Sequence, residues 1–487
     1  MMTSEQAGRY HIFFLPFMAP GHIIPTLDMA RLFATQGIKS TVVTTPANLH
    51  YFTETLDVHT QKPGIEIDLL TMIFPYEEAG LPEGCENFDS ITSPEMFYKL
   101  FKAIDLLQHP FTNLMEKYQP NCLVADPFFY WANSIATKFG VPRLVFNGSS
   151  YFSRCIISNL LRFEPHKNVS SDSEAFIVPG DLPHEIKLTK SELAPYHKKE
   201  GSDSLLELMD KIKEGVSGCY GVIMNSFYEL ESAYIDYYEK ITGNKSWHIG
   251  PCSLYFNEGD NNGVDDHRGE MSSINVSECR RWLDGNEVNS VLYICLGSMS
   301  NVLDAQLHEI AVALEALDHQ NFILVVRKED TKDCFPHGFE ATVEGRGLIV
   351  RGWAPQTMIL NHPAVGGFVT HCGWNSILEG VIAGVPMMTW PLHAEQFYNE
   401  KLVTDVLNIG IPVGAKRWVT RMGIHNIVIG NIEILNAMKR VMLGKEAEDM
   451  RIRGKELKEM ARKAVSTGGS SCSRLSAFIG EIKSYKN

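Results

Sequence analysis

The densest run of chemically useful side chains is WAPQTMILNHPAVGGFVTHCGWNSILEGVIAGVPMMTWPLHAEQ, residues 353 to 396. Within it, residues 366 to 370 read as a strand, His371-Cys372-Gly373-Trp374-Asn375-Ser376 as the turn that follows, and the stretch to about Ala383 as a helix. A helix that starts in such a turn offers unpaired N–H groups and a partial positive charge, which suits a diphosphate. Gly373 lets the backbone turn tightly and come close to an anion. Asn375, Ser376 and His371 add side-chain donors, and Glu379, one turn on, can accept bonds from two ribose hydroxyls. A rival reading needs no ligand: Ser376-Ile-Leu-Glu379 also fits a capping box.

A second set of residues can move a proton. A histidine has a suitable intrinsic pKa of about 6.5. His22 stands out among the 17 by position. It lies in Pro20-Gly21-His22, just past the first apolar run, and ligands of open α/β sheets bind at the carboxyl ends of strands. His11 precedes the same run and would point to the opposite end. Asp126 closes another apolar run, Cys122–Ala125, ahead of Pro127-Phe128-Phe129. It fits a helix cap as well as a carboxylate that orients an imidazole. Phe17, Met18, Phe128, Phe129 and Trp131 flank both positions and fit either an apolar cleft or a core.

These residues need strands to carry them. Candidate strands in the first half are His11–Phe17, Ser40–Thr45, Ile65–Thr71, Cys122–Ala125, Arg143–Phe146 and Gly221–Asn225. Helical stretches Thr26–Gln36, Glu95–Tyr118 and Tyr130–Phe139 lie between them. Near-continuous apolar strands alternating with helices indicate a parallel sheet covered on both faces. Tyr255 to Glu278, rich in Gly, Asp, Asn and Ser, reads as a linker of about 25 residues. Alternation restarts with Ser290–Leu296, Phe322–Arg327, Gly347–Arg351, Gly367–Thr370 and Val385–Trp390. The expectation is an α/β chain with one domain over 1–250, a linker over 251–278, a second domain over 279–466 and a last helix from 467 on, Ser470 to Lys483, able to pack on either domain.

Bulk properties narrow the function. A net charge of −14 without a basic stripe argues against nucleic-acid binding and against attraction to anionic membranes. No run of about 18 apolar residues predicts a transmembrane helix, and the first apolar run, broken by Pro16, lacks the flanks of a signal peptide. Ten scattered cysteines with no CxxC pair fit reduced thiols in the cytoplasm. Nothing matches G-x-G-x-x-G after a strand, a Walker A loop or a G-x-S-x-G elbow, which sets aside a nicotinamide oxidoreductase, an NTPase and an α/β-hydrolase. No Asp-x-Asp pair and no HExxH suggests a metal site.

The 353–396 string resembles, almost position by position, the signature box of plant UDP-dependent family 1 glycosyltransferases. The resemblance runs along the whole chain, including Gly21-His22 with Pro25 and the VADPFFYWA segment around Asp126. It implies a GT-B fold, two Rossmann-like parallel-sheet domains facing a cleft, with the acceptor in the first and the UDP-sugar in the second. Trp353 would stack on the uracil, with Ala354 and Gln356 near the base and ribose. Glu379 would hold the ribose, His371, Gly373, Asn375, Ser376 and Ser298 the phosphates, and Trp374, Glu395 and Gln396 the sugar. Gln396 and Trp374 favour glucose. His22 would be the general base and Asp126 its orienting carboxylate, in an inverting, metal-free displacement without a cofactor. Phe17, Met18, Phe128 and Trp131 would face a small lipophilic acceptor whose hydroxyl or carboxyl takes the sugar, with a triterpenoid or sapogenin slightly ahead of a flavonoid or simple phenol. UDP-galactose or UDP-glucuronic acid as donor, and a non-catalytic UDP-sugar binder, are the alternatives. A monomer is expected. Glu395 stands where such chains more often have Asp, and Asn147 where the nearest subgroup often has His.

Overall fold

The apolar runs form two all-parallel sheets, as their near-continuous hydrophobicity requires. The computed structural model describes residues 9–52, 65–256, 272–297, 302–327, 334–419 and 427–485. The first sheet takes β1 (His11–Leu15), β2 (Lys39–Thr44), β3 (Ile67–Thr71), β4 (Cys122–Ala125) and β5 (Arg143–Phe146). A small antiparallel hairpin, β6 (Ala175–Ile177) with β7 (Lys187–Thr189), interrupts the alternation. The sheet resumes with β8 (Gly221–Met224) and β9 (Ser246–His248), in the order β3-β2-β1-β4-β5-β8-β9. The second sheet takes β10 (Val291–Cys295), β11 (Asn321–Val326), β12 (Gly347–Arg351), β13 (Val365–Thr370), β14 (Met387–Thr389) and β15 (Gly410–Pro412), in the order β12-β11-β10-β13-β14-β15.

Both orders reverse beside their first strand. In the first sheet β1 lies between β2 and β4, and Leu15 is in register with Ala125. In the second β10 lies between β11 and β13, and Cys295 is in register with Thr370. Such reversal points leave a crevice outside the carboxyl ends of the two central strands. His22 and Asp126 follow the central pair of one sheet; Gly297 and the 371–376 turn follow the central pair of the other.

Several boundaries differ from expectation. The first helix, Pro20–Thr35, starts a turn and a half before Thr26, because Pro20 supplies a preset helical φ at its first position. The stretch 95–118 breaks into Pro94–Leu106 and Gln108–Tyr118. Strands β9 and β15, only three residues each, carry too little periodicity to be read in advance. At the expected linker, Cys252–Phe256 forms a short helical turn and the helix Val276–Asp284 begins inside the stretch; 257–271 lie outside the described residues.

The last helix, Ser470–Lys483, packs on the first sheet's side. Phe478 is fully buried, its ring 4.9 Å from Trp247 and 5.7 Å from Phe33. The Ser471 hydroxyl donates to the Gly250 carbonyl at 2.5 Å, and Arg474 donates to the Ser246 carbonyl at 2.6 Å.

Candidate active site

His22 occupies the first turn of the helix Pro20–Thr35, and Asp126 the residue after β4. Their backbones meet because the Asp126 N–H donates to the Leu15 carbonyl at 3.0 Å. The side chains meet too, with Nδ1 of His22 2.6 Å from Oδ2 of Asp126. The other carboxylate oxygen accepts the Phe128 N–H at 3.0 Å. Asp126 therefore closes its own turn and holds His22 at once; it caps no helix, since the next one, Ala132–Phe139, has Trp131 as its N-cap. Asp126 is 2% exposed. Burial works against an imidazolium at His22, but the Asp126 carboxylate, by charge and hydrogen bond, outweighs it and holds the pKa above the usual histidine value. His11, at the other end of β1, is a satisfied core histidine, 2.8 Å from the Thr41 hydroxyl.

Aromatic rings surround His22. Phe17 meets it edge-on at 5.4 Å and Phe128 lies 5.9 Å away. Phe101, from the helix Pro94–Leu106, stacks on Phe17 at 6.2 Å, and Phe97 packs against Phe101 at 4.9 Å. The sequence suggested that helix but not these two rings. Phe128 is half-buried, whereas Phe17 and Met18 are nearly covered. Trp131 is a correction: it is 6% exposed, packs on Phe111 and Phe129, and its indole N–H donates to the Ile104 carbonyl, so it is core and not acceptor wall. Phe129 is wholly buried beside it.

Across the crevice, the helix Trp374–Ala383 has Gly373 as its N-cap, with no side-chain cap. Ser376 is the third residue of that helix and not its cap, so the capping-box reading fails and the first-turn N–H groups stay available. Gly373 and Gly297 clasp the His371 ring: a Cβ on Gly373 would lie 2.4 Å from Nε2, and one on Gly297 2.6 Å from Cε1. Burial, helped by His393, lowers the His371 pKa to about 3, so the ring is neutral, and its Nδ1 has no partner.

A cavity of about 220 Å³ joins the two sides. Trp353, Ala354, Gln356 and Glu379 line one end, and His371, Gly373, Trp374, Asn375 and Ser376 its floor. Glu395, Gln396 and His22 close the other end. Ser298 lies outside the described residues. A relay of hydrogen bonds sets the first end: the Tyr293 hydroxyl donates to Gln356 at 3.2 Å, and the Gln356 amide donates to Ser376 at 3.2 Å and Glu379 at 2.7 Å. Tyr293 was missed, since on an apolar strand it reads as core. Arg327, with its guanidinium 5.3 Å from the Trp353 ring, was missed as well.

Two residues of the box bridge to the other sheet. The Trp374 indole N–H donates to the Asn225 carbonyl at 2.9 Å, and the Asn375 amide donates to the Gly21 carbonyl at 2.8 Å, next to His22. Asn375 was expected simply as a donor toward an anion; one of its N–H groups is instead spent on fixing the two halves. The Gln396 carbonyl oxygen accepts the Leu392 and His393 N–H groups, both at 2.9 Å, which anchors the loop ahead of it.

Comparison with known proteins agrees with this arrangement. Residues 262–445 match the family model described as UDP-glucoronosyl and UDP-glucosyl transferase. The chain is 47% identical over 483 residues to a scopoletin glucosyltransferase of Nicotiana tabacum, covering 99% of each. It is 48% identical over 482 residues to an anthocyanin 3'-O-beta-glucosyltransferase of Gentiana triflora, covering 98% of each. A Glycyrrhiza uralensis crystal structure, complexed with glycyrrhetinic acid 3-O-monoglucuronide, superposes with a TM-score of 0.90 at 38% identity, covering 98% of this chain and 96% of that one.

Proposed function

The chain belongs to the plant family 1 UDP-glycosyltransferases, and from that premise we propose that it moves glucose from UDP-glucose to a hydroxyl of a small lipophilic metabolite. One observation carries the proposal. The His22–Asp126 pair at one sheet reversal opens on the same cavity as the uncapped helix start at the other.

In this reading the diphosphate rests on the N–H groups of residues 374–376, with a hydrogen on the unpartnered ring nitrogen of His371. Glu379, held by Gln356, takes the ribose hydroxyls, and Trp353 the uracil. Glu395 and Gln396 meet the sugar. His22 takes the acceptor hydroxyl's proton as the oxygen attacks the anomeric carbon from the face opposite UDP, so configuration inverts. Asp126 stabilises the imidazolium that forms. The helix N-terminus carries the charge developing on UDP, a task that requires no metal.

The acceptor is the finer part. The two glucosyltransferases near half identity are named for a coumarin and an anthocyanin, which favours a phenolic hydroxyl. The Glycyrrhiza uralensis structure, holding a triterpenoid glucuronide, supports the sapogenin reading at lower identity. Crossing UDP-glucose, UDP-galactose and UDP-glucuronate with scopoletin, a flavonol and a sapogenin, and weighing the products, decides both questions. Hexose addition from UDP-glucose is expected. Product from UDP-glucuronate alone, or from no pair at all, would contradict the proposal.

A further inference from the structure

A buried guanidinium stands directly behind the His22–Asp126 pair. Arg143 opens β5, in register with Leu123 of β4 and so three residues short of Asp126, a gap that only a long side chain spans. It is 3% exposed. One terminal nitrogen donates to the Asn133 side-chain oxygen at 2.8 Å and to the Gly215 carbonyl at 2.5 Å. The other donates to the Asp126 carbonyl at 3.3 Å. Nε has no partner, and no described carboxylate forms an ion pair with the group.

A charge buried without an ion pair is costly, so its placement calls for a reason. Burial lowers the Arg143 pKa to about 10, which still leaves it charged at neutral pH. The Cys219 sulfur and the Asp126 carboxylate oppose that lowering. Burial keeps Cys219 a neutral thiol, so Asp126 is the countercharge.

The contact falls where it can act on the chemistry. The Asp126 carbonyl accepts the Phe129 N–H at 3.1 Å as well as Arg143, while the Asp126 side chain accepts the Phe128 N–H. Together these bonds fix the 126–129 turn, and the turn sets the carboxylate 2.6 Å from Nδ1 of His22. Asn133 and Gly215 tie the guanidinium to the helices Ala132–Phe139 and Asp203–Ser217, so the turn is braced from two sides. A misplacement of about 1 Å in such a constellation can cost about a hundredfold in rate.

We propose that Arg143 is a positioning residue for the transfer step, holding the 126–129 turn from behind so that the Asp126 carboxylate stays on His22. The proposal rests on the reading of His22 as the base.

The test takes pH profiles of kcat/KM in the parent protein, Arg143→Met and Arg143→Lys, with UDP-glucose and whichever of scopoletin, a flavonol and a sapogenin is turned over fastest. Acceptor ionisation is common to all three proteins, so a shift between them belongs to the protein. In Arg143→Met the rising limb should move down by about half a pH unit or more, as the carboxylate loosens its hold on the imidazolium. Turnover should fall by about tenfold to a hundredfold, with UDP affinity by calorimetry within about twofold of the parent. Arg143→Lys, which keeps a charged donor, should recover part of both. The position of a pH limb does not depend on how much of a variant folds. Should Arg143→Met not fold at all, Asn133→Ala, which frees the guanidinium from one helix, should show the same downward shift. An unmoved limb beside lower activity would make Arg143 structural only and overturn the proposal. An upward shift would overturn it too, since the guanidinium would then act on His22 by repulsion and not through Asp126. Turnover that survives His22→Ala, or no turnover of any acceptor by the parent, would remove the reading beneath the proposal, a failure that the Arg143 profiles alone do not produce.

Discussion

At the scale of single residues, the proposed chemistry turns on how Asp126 sets His22. Only the neutral imidazole can accept a proton, so kcat/KM should climb with pH through the His22 pKa and then level off. Asp126 keeps that pKa above the usual histidine value against the pull of burial. In Asp126→Asn the charge is gone and burial remains, so the rising limb should move to lower pH, below about 6.5. The plateau should drop about a hundredfold or more as the imidazolium loses its partner. A pH profile of kcat/KM reads both effects, and an unmoved limb would mean that another group titrates. Both residues were legible because each follows an apolar strand, where an α/β sheet presents ligands. Tyr293 and Arg327 were not, since one lies within and the other just after a strand that reads as core until its neighbour, Gln356 or Trp353, is seen beside it. Trp131 misled for the opposite reason: it is next to the site in sequence, but its indole N–H turns to the Ile104 carbonyl.

At the scale of elements, the helix Tyr151–Phe163 is a piece that joins the two halves of the chain. Its Ser150 hydroxyl donates to Asn399 of the second half at 2.9 Å. Beneath it, buried Glu231 accepts the Phe152 N–H at 2.8 Å and the Ser226 hydroxyl at 2.5 Å. Burial pushes the Glu231 carboxyl up to about 7. Between about 4.5 and 7 the folded chain therefore holds a proton that the unfolded chain releases, and stability falls as pH rises through that window. At about 1.4 kcal/mol per pKa unit, the fall attributable to Glu231 is roughly 3 kcal/mol, with no further loss above it. Glu231→Gln keeps an acceptor for Phe152 and removes the titration. Its urea midpoint should match the parent near pH 4.5 and exceed it at pH 8; a parent-like slope would refute the assignment. Sequence periodicity found this helix's neighbours but not its support, because a carboxylate reaching back from Glu231 to cap Phe152 leaves no local pattern.

At the scale of the whole molecule, neither sheet holds the site alone. The box from Trp353 to Gln396 was legible as a strand, a turn and a helix start, and its length marked the family. The way its residues reach across was not, since Trp374 to Asn225 and Asn375 to Gly21 are contacts between distant parts of the chain. The direction taken by the last helix was equally open until Phe478 was found against Trp247 and Phe33. The proposed division of labour is the central claim: the second sheet would hold UDP-glucose and the first would supply the base. His22→Ala measures it directly, with UDP affinity taken by calorimetry and UDP release followed on a turned-over acceptor. UDP affinity within about threefold of the parent and turnover down by about a hundredfold to ten-thousandfold is the predicted result. Undiminished turnover with intact UDP binding would contradict it.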